Sequence, residues 1–222
     1  MILNSKNLDL EQLLITSTSE TYGTAQYTPI DENHPLVGQS PYSATKIAAD
    51  QLAISYYRSF DLPVKIVRPF NTYGPRQSAR AVIPTIISQI FDKKKSIELG
   101  NLSPTRDLTY VADTCKGFIE IHKSDSLFGE VTNIGMNSEI SIGDVANLIS
   151  NLMGEDITIK SSEERVRPET SEVERLVCDN SKLIEHTYWK PEYTLEQGIR
   201  EVIEWMTSPE NLMFYKTDQY NV

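Results

Sequence analysis

The chain of 222 residues is long enough to bury a hydrophobic core, and its 39% hydrophobic and 23% charged residues are ordinary for a globular protein. A formal net charge of −10 argues against a general nucleic-acid binder, which needs a basic surface, and no apolar run approaches the ~20 residues of a membrane span. Neither the two cysteines nor the three histidines stand at metal-ligand spacing, so we expect no metal site, and a cytoplasmic location is the default.

In chain order, short β-rich runs alternate with longer helical ones, which predicts a parallel sheet covered by helices. Ser40 and Pro41 indicate the start of the first helix, with a capping serine and a proline at the first helical position. The predicted strands are 13–16, 64–67, 96–99 and 130–134. The predicted helices are 41–60, 84–94, 111–123, 141–153 and 194–206, followed by a surface tail at 216–222.

The glycines are too widely spaced to form the glycine-rich turn that receives the pyrophosphate of a dinucleotide. The closest pair, Gly129 and Gly135, lies six positions apart, so neither G-x-G-x-x-G nor a Walker loop can be written. Two explanations are open at this point. Either the chain never bound a dinucleotide, or it is the remainder of a longer protein whose opening β-α-β units lie outside this sequence.

Three motifs carry the chemistry. Tyr42 and Lys46 stand four residues apart on one face of the first predicted helix, where the ammonium can stabilise the phenolate of an acid/base for an alcohol being oxidised. The segment T-S-T-S-E-T-Y-G (16–23) follows the first strand, and R-P-F-N-T-Y-G-P-R (68–76) follows the next. Because ligands of an open α/β sheet bind beyond the carboxyl ends of its strands, we expect all three motifs to meet at one edge.

Together with R-D-L-T-Y-V-A-D at 106–113, these motifs resemble the extended short-chain dehydrogenase/reductase family, and its NAD-dependent sugar-nucleotide 4,6-dehydratases in particular. The resemblance covers nearly the whole chain from about Leu13 onward. The stretches 77–84 and 166–182 are most similar to the dehydratases of legionaminic acid synthesis, which act on a nucleotide-linked N-acetylglucosamine. GDP-mannose 4,6-dehydratase is a close relative.

The resemblance favours the second explanation and implies a partial Rossmann-like α/β fold. Its opening β-α-β units are expected to be missing, and a smaller C-terminal α/β region is expected to bind substrate. Residues 1–76 would be the C-terminal part of the NAD-binding Rossmann domain, with the catalytic motifs. Residues 77–222 would be mainly the substrate-binding region, with about 107–135 returning to the Rossmann core.

By this resemblance, Thr18, Tyr42 and Lys46 form the catalytic group that removes the proton of the sugar's C4 hydroxyl while hydride passes to NAD. Glu20 then takes the C5 proton, which is acidic beside the new ketone, as the C6 hydroxyl leaves. The returning hydride gives a 4-keto-6-deoxy sugar. An epimerase needs no such carboxylate, so Glu20 is the discriminating residue. Ser19 replaces the Asp of glucose-type dehydratases, which leaves open whether Glu20 or water protonates the departing hydroxyl.

The resemblance also implies the ligand contacts. NAD, rather than NADP, would contact Tyr42, Lys46, Pro69 and Phe70. The implied substrate-binding residues are Ser19, Asn71, Arg80, Arg106, Arg167 and Glu169. The arginines suit the oxygens of a nucleotide diphosphate. Arg76 and Arg80 are weaker candidates than Arg106 and Arg167, and Glu172 competes with Glu169 for a ribose hydroxyl.

The first hypothesis is therefore a sugar-nucleotide 4,6-dehydratase that is active only together with its missing N-terminal part. An epimerase or reductase of the same family is the alternative. A third possibility is a catalytically inactive fragment or an interaction module. The resemblance implies a homodimer formed through the helix at 41–60, and we expect neither nucleic acid nor a membrane as a partner.

Overall fold

The computed structural model describes residues 10–161, 173–212 and 214–215. Its helices are α1 (Pro41–Phe60), α2 (Val82–Phe91), α3 (Val111–Lys123), α4 (Ile142–Met153), α5 (Ser181–His186), α6 (Leu195–Thr207) and α7 (Pro209–Leu212). Its strands are β1 (Leu13–Thr16), β2 (Val64–Pro69), β3 (Asn71–Tyr73), β4 (Ser96–Leu99), β5 (Thr105–Arg106), β6 (Leu108–Tyr110), β7 (Val131–Ile134), β8 (Ile140–Ser141), β9 (Thr158–Ser161) and β10 (Arg175–Leu176). In these ranges no helix has the length and apolar character needed to cross a membrane.

A parallel sheet in the order β1-β2-β7 forms the first part of the fold. Helices α1 and α3 both contact its central strand β2. They cover opposite faces, because Arg68 of β2 binds a carboxylate of α1 whereas Lys65, three positions earlier, donates to carbonyls at the end of α3. The predicted parallel sheet with helices packed on it is confirmed.

The second part of the fold packs α2, α4 and α6 against one another, with the parallel pair β4–β9 alongside. Buried aliphatic side chains of these helices form its core, among them Ile83, Ile86, Ile90, Val145, Ile149 and Val202. Two small sheets, β3–β6 and β10-β5-β8, contact this part, since β6 packs against α6 and β8 against α4. All five strands of these two small sheets have two or three residues, and the sequence did not predict them.

Capping residues explain the small differences between predicted and observed helix boundaries. Ser141 and Thr194 were predicted inside α4 and α6, but each is the N-cap and its side chain accepts a backbone N–H of the first turn. Helix α2 starts two residues before Pro84, which is tolerated there because first-turn N–H groups have no partner within a helix.

Candidate functional site

The carboxyl ends of β1, β2 and β7 lie at the same edge of the parallel sheet, with Thr16 paired to Val67 and Arg68 paired to Asn133. The chain leaves β1 into a one-turn 3-10 helix at 19–22, and it leaves β2 directly into β3. Helix α1 packs against both the 3-10 turn and β2. The three motifs predicted to converge are therefore carried by elements that contact one another.

Thr18 starts the 3-10 turn and thereby places Glu20. Its Oγ1 accepts a hydrogen bond from the Glu20 backbone N–H at 3.2 Å, which is an N-cap arrangement. Glu20 is half-buried, and its side chain lines a cavity. Ser19 is buried and does not line that cavity.

Helix α1 begins with a capping box between Ser40 and Ser43, and Pro41 occupies the first helical position. One turn into the helix, the Lys46 Nζ donates to the Thr16 carbonyl oxygen at 3.0 Å. The same Nζ lies 5.9 Å from the centroid of the Tyr42 ring. The ammonium therefore stands between the phenol and the carboxyl end of β1, and the Tyr42 side chain is 50% exposed.

A cavity of about 380 Å³ opens beside this edge. Four of the predicted site residues line it: Glu20, Asn71, Arg80 and Arg106. The cavity thus places two guanidinium groups and one carboxylate around a volume within the usual ~300–1,000 Å³ range of small-molecule sites. Arg106 also donates to the Thr105 carbonyl at 2.8 Å, which holds its guanidinium at the cavity wall.

The structure places the remaining predicted residues as follows. Phe70 is 2% exposed and packs against Tyr22 with ring centroids 6.4 Å apart, so its side chain belongs to the core, while Pro69 is half-buried at the end of β2. Arg76 lines a separate cavity with Trp205. The other predicted positions, Arg167, Glu169 and Glu172, lie outside the described residues.

A buried polar network beneath the edge was missed by the sequence analysis. Asp50 Oδ2 accepts from Arg68 Nε at 3.0 Å, from Arg68 Nη2 at 2.9 Å and from Ser17 Oγ at 2.8 Å. The Arg68 guanidinium carbon lies 4.9 Å from the Tyr22 ring centroid, and the Tyr22 hydroxyl donates to Asn133 Oδ1 at 2.7 Å. Burial raises the pKa of the Tyr22 phenol. One signal was available: Asp50 follows Lys46 by four residues and so shares the face of the Tyr42–Lys46 pair.

The two aspartates of the R-D-L-T-Y-V-A-D motif accept hydrogen bonds from backbone N–H groups. Asp107 accepts from the Met136 N–H at 2.7 Å and the Cys178 N–H at 3.1 Å, and burial raises its pKa to about 6. Asp113 accepts from the backbone N–H groups of Glu192 and Tyr193 at 2.8 and 3.1 Å. These carboxylates join segments that are distant in sequence around the site.

Comparison with known proteins identifies what this arrangement is similar to. The family model described as GDP-mannose 4,6-dehydratase matches residues 2–202. Human dTDP-D-glucose 4,6-dehydratase is 31% identical over 201 residues, covering 88% of this chain and 56% of the human protein.

Two solved structures share the fold. The dTDP-glucose 4,6-dehydratase of Bacillus anthracis in complex with NAD has a TM-score of 0.79 and 31% identity, covering 92% of this chain and 63% of that one. The UDP-glucuronic acid 4-epimerase of Bacillus cereus was solved with UDP-glucuronic acid and NAD. It has a TM-score of 0.82 and 27% identity, and the match covers 90% of this chain and 63% of the epimerase chain. The chain therefore spans less than two thirds of the length of each of these relatives.

Proposed function

We propose that this chain, which belongs to the GDP-mannose 4,6-dehydratase family of the extended short-chain dehydrogenase/reductases, acts in the NAD-dependent 4,6-dehydration of a nucleotide-linked hexose. The product would be a 4-keto-6-deoxy sugar. The observation that carries the proposal is the position of Glu20: it lines a cavity that also contains two arginines, on a turn that packs against the helix of Tyr42 and Lys46.

The residues at the sheet edge fit the nicotinamide and ribose end of NAD. The Lys46 ammonium has three N–H donors. One of them forms a hydrogen bond to the Thr16 carbonyl oxygen, so two remain for ligand oxygens. The pyrophosphate end has no such fit among the described residues, because the positive-φ glycines Gly23, Gly129 and Gly154 stand singly and form no glycine-rich turn. When bound, NAD supplies hydride acceptance at C4 of the sugar and hydride return at C6.

The residues of this chain move the protons. Tyr42, whose ring centroid lies 5.9 Å from Lys46 Nζ, accepts the proton of the C4 hydroxyl as that carbon becomes a ketone, and Thr18 completes the proposed catalytic group. The ketone makes the C5 proton acidic, and the Glu20 carboxylate accepts it while the C6 hydroxyl takes a proton, from the Glu20 carboxyl or from water, and leaves. Hydride return to C6 and protonation of C5 then give the 4-keto-6-deoxy sugar. Water is lost, and the sugar undergoes no net oxidation.

The two guanidinium groups in the cavity support a nucleotide diphosphate as the anchor of the substrate. Arg106 and Arg80 can donate several N–H groups to phosphate oxygens, and the fork geometry of a guanidinium suits two oxygens at once. We propose a sugar of the N-acetylglucosamine type, on the resemblance of 77–84 and 166–182 to dehydratases that act on that sugar.

A homodimer formed through α1 is part of the proposal. Only Ser43 and Asp50 are fully buried in this 20-residue helix, while Leu52 and Phe60 are 60% and 61% exposed. Large apolar side chains exposed along one helix are typical of a protein interface. Sedimentation equilibrium measures the oligomeric state directly, and a chain that stays monomeric at high concentration would contradict this part.

The test of the reaction compares Glu20→Gln with Glu185→Gln, a control that makes the same change on an exposed residue of α5. Protein expressed from its complete reading frame is incubated with NAD and UDP-N-acetylglucosamine or GDP-mannose, and products are followed by mass spectrometry. We expect the wild type and the control to release water, and Glu20→Gln to lose dehydration by a factor of about 10² or more, as expected for removal of a general base.

The B. cereus 4-epimerase has the same fold as this chain, so epimerisation is the second candidate. A C4 epimer formed without loss of water, at equal rates in wild type and Glu20→Gln, would replace the dehydratase proposal with an epimerase. Deuterium from solvent water distinguishes the two, because only removal of the C5 proton introduces deuterium at that carbon.

A further inference from the structure

Two of the residues that line the 380 Å³ cavity each have an amide oxygen with no hydrogen-bond partner among the described residues. They are Asn71 Oδ1 and Gln77 Oε1, and both atoms are buried from solvent. Buried acceptors without donors are rare in folded proteins and are costly to leave unpaired. Asn71 was predicted to bind substrate, whereas Gln77 was not among the predicted site residues.

The orientation of the Gln77 side chain is fixed by its other end. Its Nε2 donates to the Thr72 carbonyl oxygen at 3.1 Å. An amide flipped by 180° would place its oxygen against that carbonyl oxygen, so the chemistry sets which end of the amide is left unpaired. The Oε1 acceptor is therefore held in place rather than free to turn toward another donor.

The backbone of Gln77 is held as well. Its N–H donates to the Gly74 carbonyl at 3.3 Å, and its carbonyl accepts from the Tyr215 hydroxyl at 2.8 Å. Tyr215 is itself buried and packs edge-on against Trp205. The preceding residue, Arg76, has a φ of 68°, a left-handed conformation that is uncommon for a residue other than glycine and that tends to occur at ligand sites.

We propose that Gln77 is a specificity-determining residue that accepts a hydrogen bond from the sugar of the substrate, together with Asn71. This rests on the proposed function, in which the cavity holds a nucleotide sugar. Arg80 and Arg106 provide donors for the phosphates, but the two amide oxygens need donors from the ligand: a ring hydroxyl or the N–H of an acetamido group. A ligand that lacks such a donor would leave a buried acceptor unpaired and would be rejected.

Equilibrium binding to the same protein as in the product assay tests this without turnover, because the residues involved line one cavity. Calorimetry compares UDP-N-acetylglucosamine with UDP, and GDP-mannose with GDP. Gln77→Leu, which keeps the size of the side chain and removes the acceptor, is expected to weaken binding of the sugar nucleotide about tenfold while changing that of the nucleoside diphosphate less than twofold. Gln26→Leu, the same change at an exposed glutamine, is the control.

A second variant keeps the proposal testable if Gln77→Leu does not fold. Tyr215→Phe removes only the hydroxyl that holds the Gln77 carbonyl, and it is expected to weaken sugar-nucleotide binding two- to threefold with no change for the nucleoside diphosphate. Equal losses for the sugar nucleotide and the nucleoside diphosphate, or no loss in either variant, would overturn the role of Gln77 alone. Wild-type protein that binds neither sugar nucleotide would overturn this inference, whereas the product assay of wild type and Glu20→Gln decides the proposed function separately.

Discussion

Removing the guanidinium from the buried Asp50–Arg68 pair is the sharpest test of how the site is supported. Asp50 is 0% and Arg68 is 2% exposed, and two nitrogens of the arginine donate to one carboxylate oxygen. Arg68→Met would leave the Asp50 carboxylate buried with Ser17 Oγ as its remaining donor among the described residues. Breaking such a pair from one side costs about 3–5 kcal/mol of the free energy of unfolding, because the remaining charge is uncompensated. Urea denaturation followed by circular dichroism measures this loss.

Arg200→Met is the matched control, because Arg200 pairs with Glu196 on the surface of α6, where both side chains are more than half exposed. A surface pair contributes about 0–1 kcal/mol, so this variant should be nearly neutral. Asp50→Leu combined with Arg68→Met removes both charges and should recover most of the loss. If Arg68→Met cost no more than Arg200→Met, the buried pair would not be the support inferred here.

Two further predictions concern the surroundings of the site. Since burial raises the folded pKa of Asp107 to about 6, above an unfolded value of about 3.9, its contribution to stability is present below pH ~4 and is lost as the pH rises through ~6. Urea titrations measure the free energy of unfolding, which should fall by about 2–3 kcal/mol more in the wild type than in Asp107→Asn as the pH rises between these values. The same pH dependence of this free energy in both proteins would refute the reasoning. Gly198→Ala should cost about 1–3 kcal/mol, because a Cβ there would lie 2.2 Å from the Tyr73 hydroxyl oxygen. Gly143→Ala is the control in thermal denaturation, because a Cβ at that position would lie 3.7 Å from its nearest neighbouring atom. Equal melting temperatures of the two variants would contradict the packing argument.

The long elements of the fold could be predicted from sequence because their signals are local. Strand β1 and helix α3 have the predicted bounds, since apolar runs, caps and prolines mark them within the chain itself. Strands β5, β8 and β10 have two residues each and exist only because partners distant in sequence pair with them. No local pattern marks such a strand.

The site could be predicted in part. Motif order indicated Glu20, Asn71 and Arg106, which the structure places around one cavity. Gln77 could not be found in this way, because its role depends on a backbone turn at Arg76 and on a tyrosine 138 positions away in the sequence. The domain boundaries and the assigned roles of the site residues remain predictions.

The polar network beneath the edge connects the stability of the fold to the geometry of the site. Ser17, Arg68 and Asn133 stand in one row across the ends of β1, β2 and β7, and Asp50 joins this row to α1. Asp50 and Lys46 lie on the same helix face as Tyr42, so the buried carboxylate holds against the sheet the same helix from which Lys46 donates to Thr16. A variant such as Arg68→Met should therefore weaken both folding and turnover. Glu20, whose carboxylate lines the cavity and lies outside this network, should affect turnover alone. The two effects can be separated only because the proposed base and the buried support lie on different elements.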